Sequence, residues 1–152
     1  MNKRTFAIPV LGATGICLAT ACGGGEAIEG AWELTELVDG QVIRELPRFT
    51  ETDDNTYEQF GSIVVAPDLR GALSLITYVN DYYGSRSEFL TGIFEGEETE
   101  DRTYALETRG DFNITFSCTV VDDEDGDDRL TCSGQQANLQ SASLTARRFA
   151  DE

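Results

Sequence analysis

The chain has 152 residues, of which 40% are hydrophobic, and this leaves room for one domain with a hydrophobic core. Its formal net charge is -17, and it contains no histidine. A polyanion of this kind is repelled by phosphate backbones and anionic lipid, so we expect no nucleic-acid binding. The lack of histidine removes the commonest general base and metal ligand.

The first 21 residues have the layout of a secretory signal. Lys3 and Arg4 form a short basic region, and residues 5–21 carry no charge. Residues 18–22, Leu-Ala-Thr-Ala-Cys, resemble the lipobox of bacterial lipoproteins, in which the cysteine receives the lipid. An ordinary cleaved signal, which leaves Cys22 as a free or disulfide-bonded thiol, is the alternative.

The lipobox resemblance implies a domain organisation and a location. Residues 1–21 would be the signal peptide, residues 22–29 a lipidated, glycine-rich tether, and residues 30–150 the folded domain. In the same family, glycine rather than aspartate after the lipidated cysteine directs the protein to the outer membrane. We therefore expect a membrane partner through lipid on Cys22, with the domain facing the periplasm.

The first part of the domain predicts one hairpin followed by a loop. Asp39-Gly40 lies between two apolar segments and is a strong hairpin signal. The polar stretch 47–58 is interpreted as a loop, with Phe49 and Tyr57 turned inward. The run of acidic residues from 95 to 101 is interpreted as a second, solvated loop because its like charges repel one another.

The rest of the domain consists of short segments rich in β-branched and aromatic residues, separated by turn signals. Residues 112–120 alternate most clearly, with apolar side chains at the even positions, as expected for a strand with one buried face. We count eight or nine strands and no convincing helix. The pattern predicts an all-β antiparallel meander that closes into a barrel, with a β-sandwich as the alternative.

Two cysteines fall on one face of a predicted hairpin. If the acidic turn 122–128 is symmetric about Asp125, Cys118 lies opposite Cys132 and both face inward. This register predicts a cross-strand disulfide, and export would supply the oxidising compartment. Two buried free thiols are the alternative.

The acidic turn is also the best candidate for a metal site. Asp123, Asp125 and Asp127 are weak candidate ligands for a hard cation such as calcium. The spacing departs from an EF-hand, because Val121 and Cys132 stand where its first and last ligands belong. Serine triads, phosphate-binding glycine loops and zinc-ligand spacings do not occur, so we expect neither a cofactor nor an enzyme.

Gly30-Ala31-Trp32 resembles the Gly-x-Trp motif in the first strand of lipocalins and of smaller bacterial lipocalin-like domains. The resemblance implies a lipocalin-like barrel whose tryptophan plugs the closed end. It also implies that an arginine of the last strand, Arg147 or Arg148, packs across Trp32, for which a cation–π contact supplies a physical basis. The alternative is that Trp32 is a core aromatic of another β fold.

Two functional hypotheses follow. The lipocalin resemblance implies a small apolar or amphipathic ligand inside the barrel. The second hypothesis is a non-enzymatic structural or interaction lipoprotein that presents acidic loops, with Tyr82 and Tyr83, to a protein partner. A barrel filled by its own side chains would disfavour the ligand, and the side chains expected to point inward are Leu73, Leu75, Phe112, Ile114 and Phe116.

Overall fold

The computed structural model describes residues 27–122 and 124–149. These residues form ten β-strands and no helix, which confirms the all-β prediction. No helix in these ranges is long and apolar enough to cross a membrane. The signal peptide and Cys22 lie outside the described residues. The strands are β1 (Gly30–Asp39), β2 (Val42–Glu45), β3 (Arg48–Thr52), β4 (Asn55–Val65), β5 (Arg70–Asp81), β6 (Gly84–Glu100), β7 (Thr103–Gly110), β8 (Ile114–Asp122), β9 (Asp128–Gln136) and β10 (Ser141–Arg148).

The strands form an antiparallel meander that closes on itself. From β4 to β10 each strand pairs with the next, and β1 pairs both with β10 and with β4. The result is a closed barrel of eight strands, with β2 and β3 as two additional strands. The barrel prediction is therefore confirmed over the sandwich, and the closed barrel is consistent with a lipocalin-like one.

The predicted first hairpin is confirmed, and its loop consists of Gly40 and Gln41. Asp39 pairs with Val42, so the turn lies one residue later than the Asp-Gly pair itself. Gly40 has a φ of 62°, a conformation that residues other than glycine adopt at a cost. Glycine at the first loop position is typical of a tight two-residue hairpin.

The barrel closes over only part of β1 and β4. Residues 30–33 of β1 pair with residues 62–65 of β4, and beyond that point β2 extends the edge of β1 and β3 extends the edge of β4. On the other side, β6 pairs with β7 only from Gly92 onward. The chain therefore has a four-stranded extension, here called the projecting sheet. It contains β3, residues 55–60 of β4, residues 76–81 of β5 and residues 84–91 of β6.

The interior of the barrel is filled by its own side chains. All five side chains that we expected to point inward are buried, with exposures of 0 to 4%. Branched and aromatic groups buried to this extent are typical of a closely packed protein core. The other large buried side chains of the barrel include Trp32, Leu34, Leu37, Ile63, Phe94, Tyr104, Leu106, Leu130 and Leu144.

The interpretation of residues 47–58 as a loop is wrong, because they form β3 and the start of β4. Phe49 points outward and is 60% exposed, and Tyr57 is half-buried with the guanidinium of Arg48 5.8 Å from its ring centroid. All five residues of β3 are exposed. A strand that meets water on both faces lacks the apolar alternation by which strands are recognised in a sequence.

The interpretation of residues 95–101 as a loop is also wrong. β6 continues to Glu100 and pairs with β7, and the turn is reduced to Asp101 and Arg102. The glutamates of this segment are exposed, where water weakens their repulsion. Gly96 faces the barrel, and a Cβ there would lie 2.6 Å from Leu106 Cδ2, so the strand packs through a residue without a side chain.

Candidate functional site

The end of the barrel formed by the start of β1 is plugged by Trp32. Its side chain is fully buried, and its Nε1 donates a hydrogen bond to the carbonyl of Ile28 at 2.7 Å. The guanidinium carbon of Arg148 lies 3.9 Å from the centroid of the Trp32 ring. This places a cation over the face of an indole, the most favourable aromatic partner for such a contact.

Arg148 also joins the chain before β1 to the last strand. Its Nη2 donates to the carbonyl of Ala27 at 2.6 Å and lies 3.6 Å from Asp128, and its Nη1 donates to the carbonyl of Glu29. Gly30 has a φ of 114°, and a Cβ at this position would lie 2.9 Å from Arg148 Nη1. The backbone conformation therefore favours glycine at this position of the Gly-x-Trp motif, and Arg148 leaves little room for a side chain.

Arg147, the second arginine that the motif allowed, lies elsewhere. Neighbouring residues of a strand point to opposite faces, so Arg147 is outside the barrel. Its guanidinium forms an exposed ion pair with Glu33 at 2.7 Å. Of the two arginines, Arg148 therefore packs on the tryptophan.

Cys118 and Cys132 form the disulfide that the sequence predicts. They lie directly opposite one another in β8 and β9, with 4.0 Å between their Cα atoms, and both are buried. Val120 opposite Leu130 and Phe116 opposite Gly134 complete the expected register. The bond thus joins two neighbouring strands on the inner face of the barrel.

Arg102, from the turn between β6 and β7, binds the carboxylates at both ends of the acidic turn. Arg102 donates from Nη2 to Asp122 at 2.9 Å and to Asp128 at 3.2 Å. The hydrogen bond to Asp122 is the largest cause that raises the pKa of Arg102, with the charge of Asp128 contributing. The two carboxylates at the ends of the turn are thus already engaged.

The three weak metal-ligand candidates lie at the tip of this turn. Asp125 and Asp127 are exposed, and Asp123 lies outside the described residues. In the part of the chain that the structure describes, no group of three histidine, cysteine or carboxylate side chains is arranged to hold a metal ion.

Arg44 is a half-buried residue of β2 that the sequence did not indicate. It lies opposite Leu37 across β1 and β2, and paired residues share a face, so it points to the same side as the buried leucine. Its Nη1 is buried and has no hydrogen-bond partner among the described residues. A buried donor without a partner costs about 1–3 kcal/mol, which an acidic group from outside would offset.

A cluster of exposed and half-buried aromatic and apolar side chains lies on the outer side of the projecting sheet, and we call it the aromatic face. Phe60, Ile76 and Phe89 are neighbours in register on β4, β5 and β6. Phe60 is 42%, Tyr78 44% and Phe89 60% exposed. The rings of Phe60 and Tyr78 meet edge to face, with 6.4 Å between their centroids. The aromatic face consists of Phe49, Phe60, Ile76, Tyr78 and Phe89.

Tyr82 and Tyr83 form the tip of the hairpin between β5 and β6. They are 91% and 92% exposed, and their rings pack edge to face at 5.6 Å. Below the tip, Arg86 pairs with Asp81 at 2.5 Å, and this arginine is the largest cause that lowers the pKa of the Asp81 carboxyl. The tip is therefore ordered by an ion pair while both tyrosines face water.

Among the described residues, the features singled out above fall into two groups, one that stabilises the barrel and one that lies on the surface. Trp32, Arg148 and the disulfide hold the barrel together, whereas the aromatic face and the tyrosine tip lie at the surface. Neither a family model, nor a curated protein, nor a solved structure matches the chain.

Proposed function

We propose that this protein is a non-enzymatic lipoprotein of the bacterial cell envelope that docks a protein partner on its projecting sheet. In this proposal a lipid on Cys22 anchors it, with the outer membrane as the site and the barrel in the periplasm. The observation that carries the docking function is the aromatic face. Soluble domains seldom expose contiguous apolar clusters unless these contact another molecule.

The side chains of the aromatic face are suited to binding. Phe60, Tyr78 and Phe89 are large and rigid, so they bury much area and lose little rotamer entropy when a partner covers them. Their positions are set by the ladders of β4, β5 and β6. The surface is therefore already arranged before a partner arrives, which lowers the entropic cost of association.

Charge defines the chemistry of the partner. Glu51 and Glu58 project on the same side of the sheet as the aromatic face, and the chain as a whole carries -17. An anionic bilayer would be repelled by such a surface. The partner that fits is a protein with an apolar centre bordered by lysine or arginine side chains.

In-cell photo-crosslinking tests this docking surface. A benzophenone amino acid replaces Phe60 or Tyr78 in the full chain, and Ser117, an exposed outward residue on the opposite wall, is the control position. We expect both aromatic positions to give one adduct of the same mass, with none from Ser117. We also expect Phe89→Ser to reduce adduct formation at least tenfold. The same substitution should change the free energy of unfolding by only about 0.5 kcal/mol. Equal adducts at all three positions would contradict the proposal.

The anchor has its own test. In the native host, incorporation of an alkyne-labelled fatty acid should be lost in Cys22→Ser, because the lipid attachment atom is removed. Cys17→Ser is the matched control and should be labelled like the parent. Labelling of the Cys22→Ser protein would show that Cys22 does not carry the lipid.

A small acidic amphipathic ligand is a second candidate function, and Arg44 is the observation that favours it. Its buried, unpartnered Nη1 would meet a carboxylate or phosphate head group. The filled interior supports the docking function instead, because it disfavours a large apolar ligand. Native mass spectrometry of the purified protein separates the two candidates. A mass equal to that of the protein alone would support the docking function. A stoichiometric adduct that disappears in Arg44→Met would support the ligand.

A further inference from the structure

The N-terminal half of β6 is an unpaired strand edge. Residues 84–91 pair with β5 on one side only, because β7 begins to pair at Gly92. All eight residues of this segment are exposed. A long exposed edge offers its backbone groups to another strand, and natural proteins usually cover or charge such edges.

The hydrogen bonds of Thr91 define which backbone groups face the free side. Its N–H donates to the carboxylate of Asp111 at 2.8 Å, and its carbonyl accepts from the N–H of Asp111 at 3.1 Å. Backbone groups alternate in direction along a strand, so those of Ser85, Ser87 and Phe89 point to the same side as those of Thr91. No hydrogen bond joins these three N–H and carbonyl pairs to another described residue.

We propose that two copies of this chain pair through the Gly84–Thr91 edge of β6, antiparallel and two-fold symmetric about Ser87. In this register Ser87 lies opposite Ser87 of the second copy, and Ser85 opposite Phe89. Three such pairs give about six backbone hydrogen bonds between the copies. This dimer goes beyond the proposed docking function and does not require it.

The charges along this edge favour one register of pairing and a second copy of the chain as the partner. Symmetry about Ser87 places Arg86 of each copy opposite Glu88 of the other, so two opposite-charge pairs form. Symmetry about Arg86 would place two arginines opposite each other, and symmetry about Glu88 two glutamates. Symmetry about Phe89 would require Thr91, whose backbone groups Asp111 already occupies. Of these four registers, only the one about Ser87 brings opposite charges together.

Net charge also favours this segment as the meeting point of two acidic chains. Gly84–Thr91 contains one arginine and one glutamate, so it is neutral, whereas four glutamates follow between residues 95 and 100. Pairing would join the two projecting sheets into one continuous sheet. Because Ser85 and Phe89 lie on the outer side, it would also place the two aromatic faces on the same side of that sheet.

Disulfide trapping in the intact envelope tests the dimer with the full chain. Opposed residues in this register have Cα atoms about 5.5 Å apart, within the range that a disulfide bridges. Ser87→Cys should therefore give a dimer under mild oxidation, seen on a non-reducing gel and lost on reduction. Ser85→Cys is the matched control, because it lies about 14 Å from its symmetry mate. Equal trapping at both positions, or none at position 87, would overturn the proposal.

A charge exchange adds a second readout. In the Ser87→Cys protein, Glu88→Arg should reduce trapping roughly tenfold, because two arginines then face each other in each pair. Combining Arg86→Glu with Glu88→Arg should raise trapping above that of the single exchange, since opposite charges again meet, but not to the level of the parent, because the pair between Arg86 and Asp81 is lost. Equal trapping in the single exchange and the parent would overturn the register. The assay needs no other protein, so its failure would leave the photo-crosslinking test of the aromatic face unaffected.

Discussion

Replacing both Cys118 and Cys132 with alanine should lower the free energy of unfolding by about 3 kcal/mol. The bond joins residues separated by 14 positions, and closing a loop of this size removes about 3 kcal/mol of chain entropy from the unfolded state. Both sulfurs are buried, so their loss also removes core contacts. Urea denaturation of the parent and the variant, each with and without reductant, measures the difference.

The neighbouring pair Ser117 and Ser133 supplies the control. These residues lie opposite each other in the same two strands but point outward and are exposed. Replacing both serines with alanine should change the free energy of unfolding by no more than about 0.5 kcal/mol. Reductant should destabilise the parent and the serine-to-alanine variant equally, and it should leave the variant without Cys118 and Cys132 unchanged. If reductant left the free energy of unfolding of the parent unchanged, this would contradict the predicted contribution of the disulfide.

The β8–β9 hairpin could be predicted from the sequence down to its register. One face of these strands is buried, so apolar residues occur at every second position. A shift by one residue would expose all of them, and the pattern therefore specifies a single pairing. For the same reason the alternation of residues 112–120 correctly indicated Phe112, Ile114 and Phe116 as interior.

The projecting sheet could not be predicted in the same way. β3 meets water on both faces, and β6 from Gly84 to Thr91 is exposed throughout. Without a buried face there is no apolar period, and the propensities of single residues are too weak to define a strand. The interpretation of residues 47–58 as a loop failed for this reason.

The candidate docking surface depends on contacts that are distant in the sequence. Phe49, Phe60, Ile76, Tyr78 and Phe89 come from four strands, and only the pairing of those strands brings them to one side. A single exposed or half-buried apolar residue is common on protein surfaces and gives no signal by itself. The exposed tyrosines at the hairpin tip were recognisable because they are adjacent in the chain.

The choice between Arg147 and Arg148 required the pairing of β1 with β10. Trp32 lies opposite Arg148, and Glu33 opposite Arg147, and residues opposite each other share a face of the sheet. The motif indicated an arginine of the last strand but not its position. The register settles it, because Glu33 and Arg147 both lie outside the barrel.

Trp32→Ala should lower the free energy of unfolding by about 3–5 kcal/mol, because it removes a fully buried indole from the closed end. Arg148→Met should cost about 2–3 kcal/mol, since it leaves the carbonyls of Ala27 and Glu29 without their donor. Arg147→Met is the matched control, because the Arg147 side chain is largely exposed, and it should cost less than about 1 kcal/mol. Urea denaturation measures all three variants.

The double variant of Trp32→Ala and Arg148→Met tests whether the two side chains act together. If the guanidinium is held over the indole ring, the losses of unfolding free energy in the two single variants should not add. The coupling energy between the two side chains should be about 1–2 kcal/mol. Trp32→Ala combined with Arg147→Met should be additive, because Arg147 lies on the other face of the strand. Additive losses in both pairs would mean that Arg148 stabilises the barrel only through its backbone contacts. The Gly-x-Trp motif would then reflect the packing of Trp32 alone.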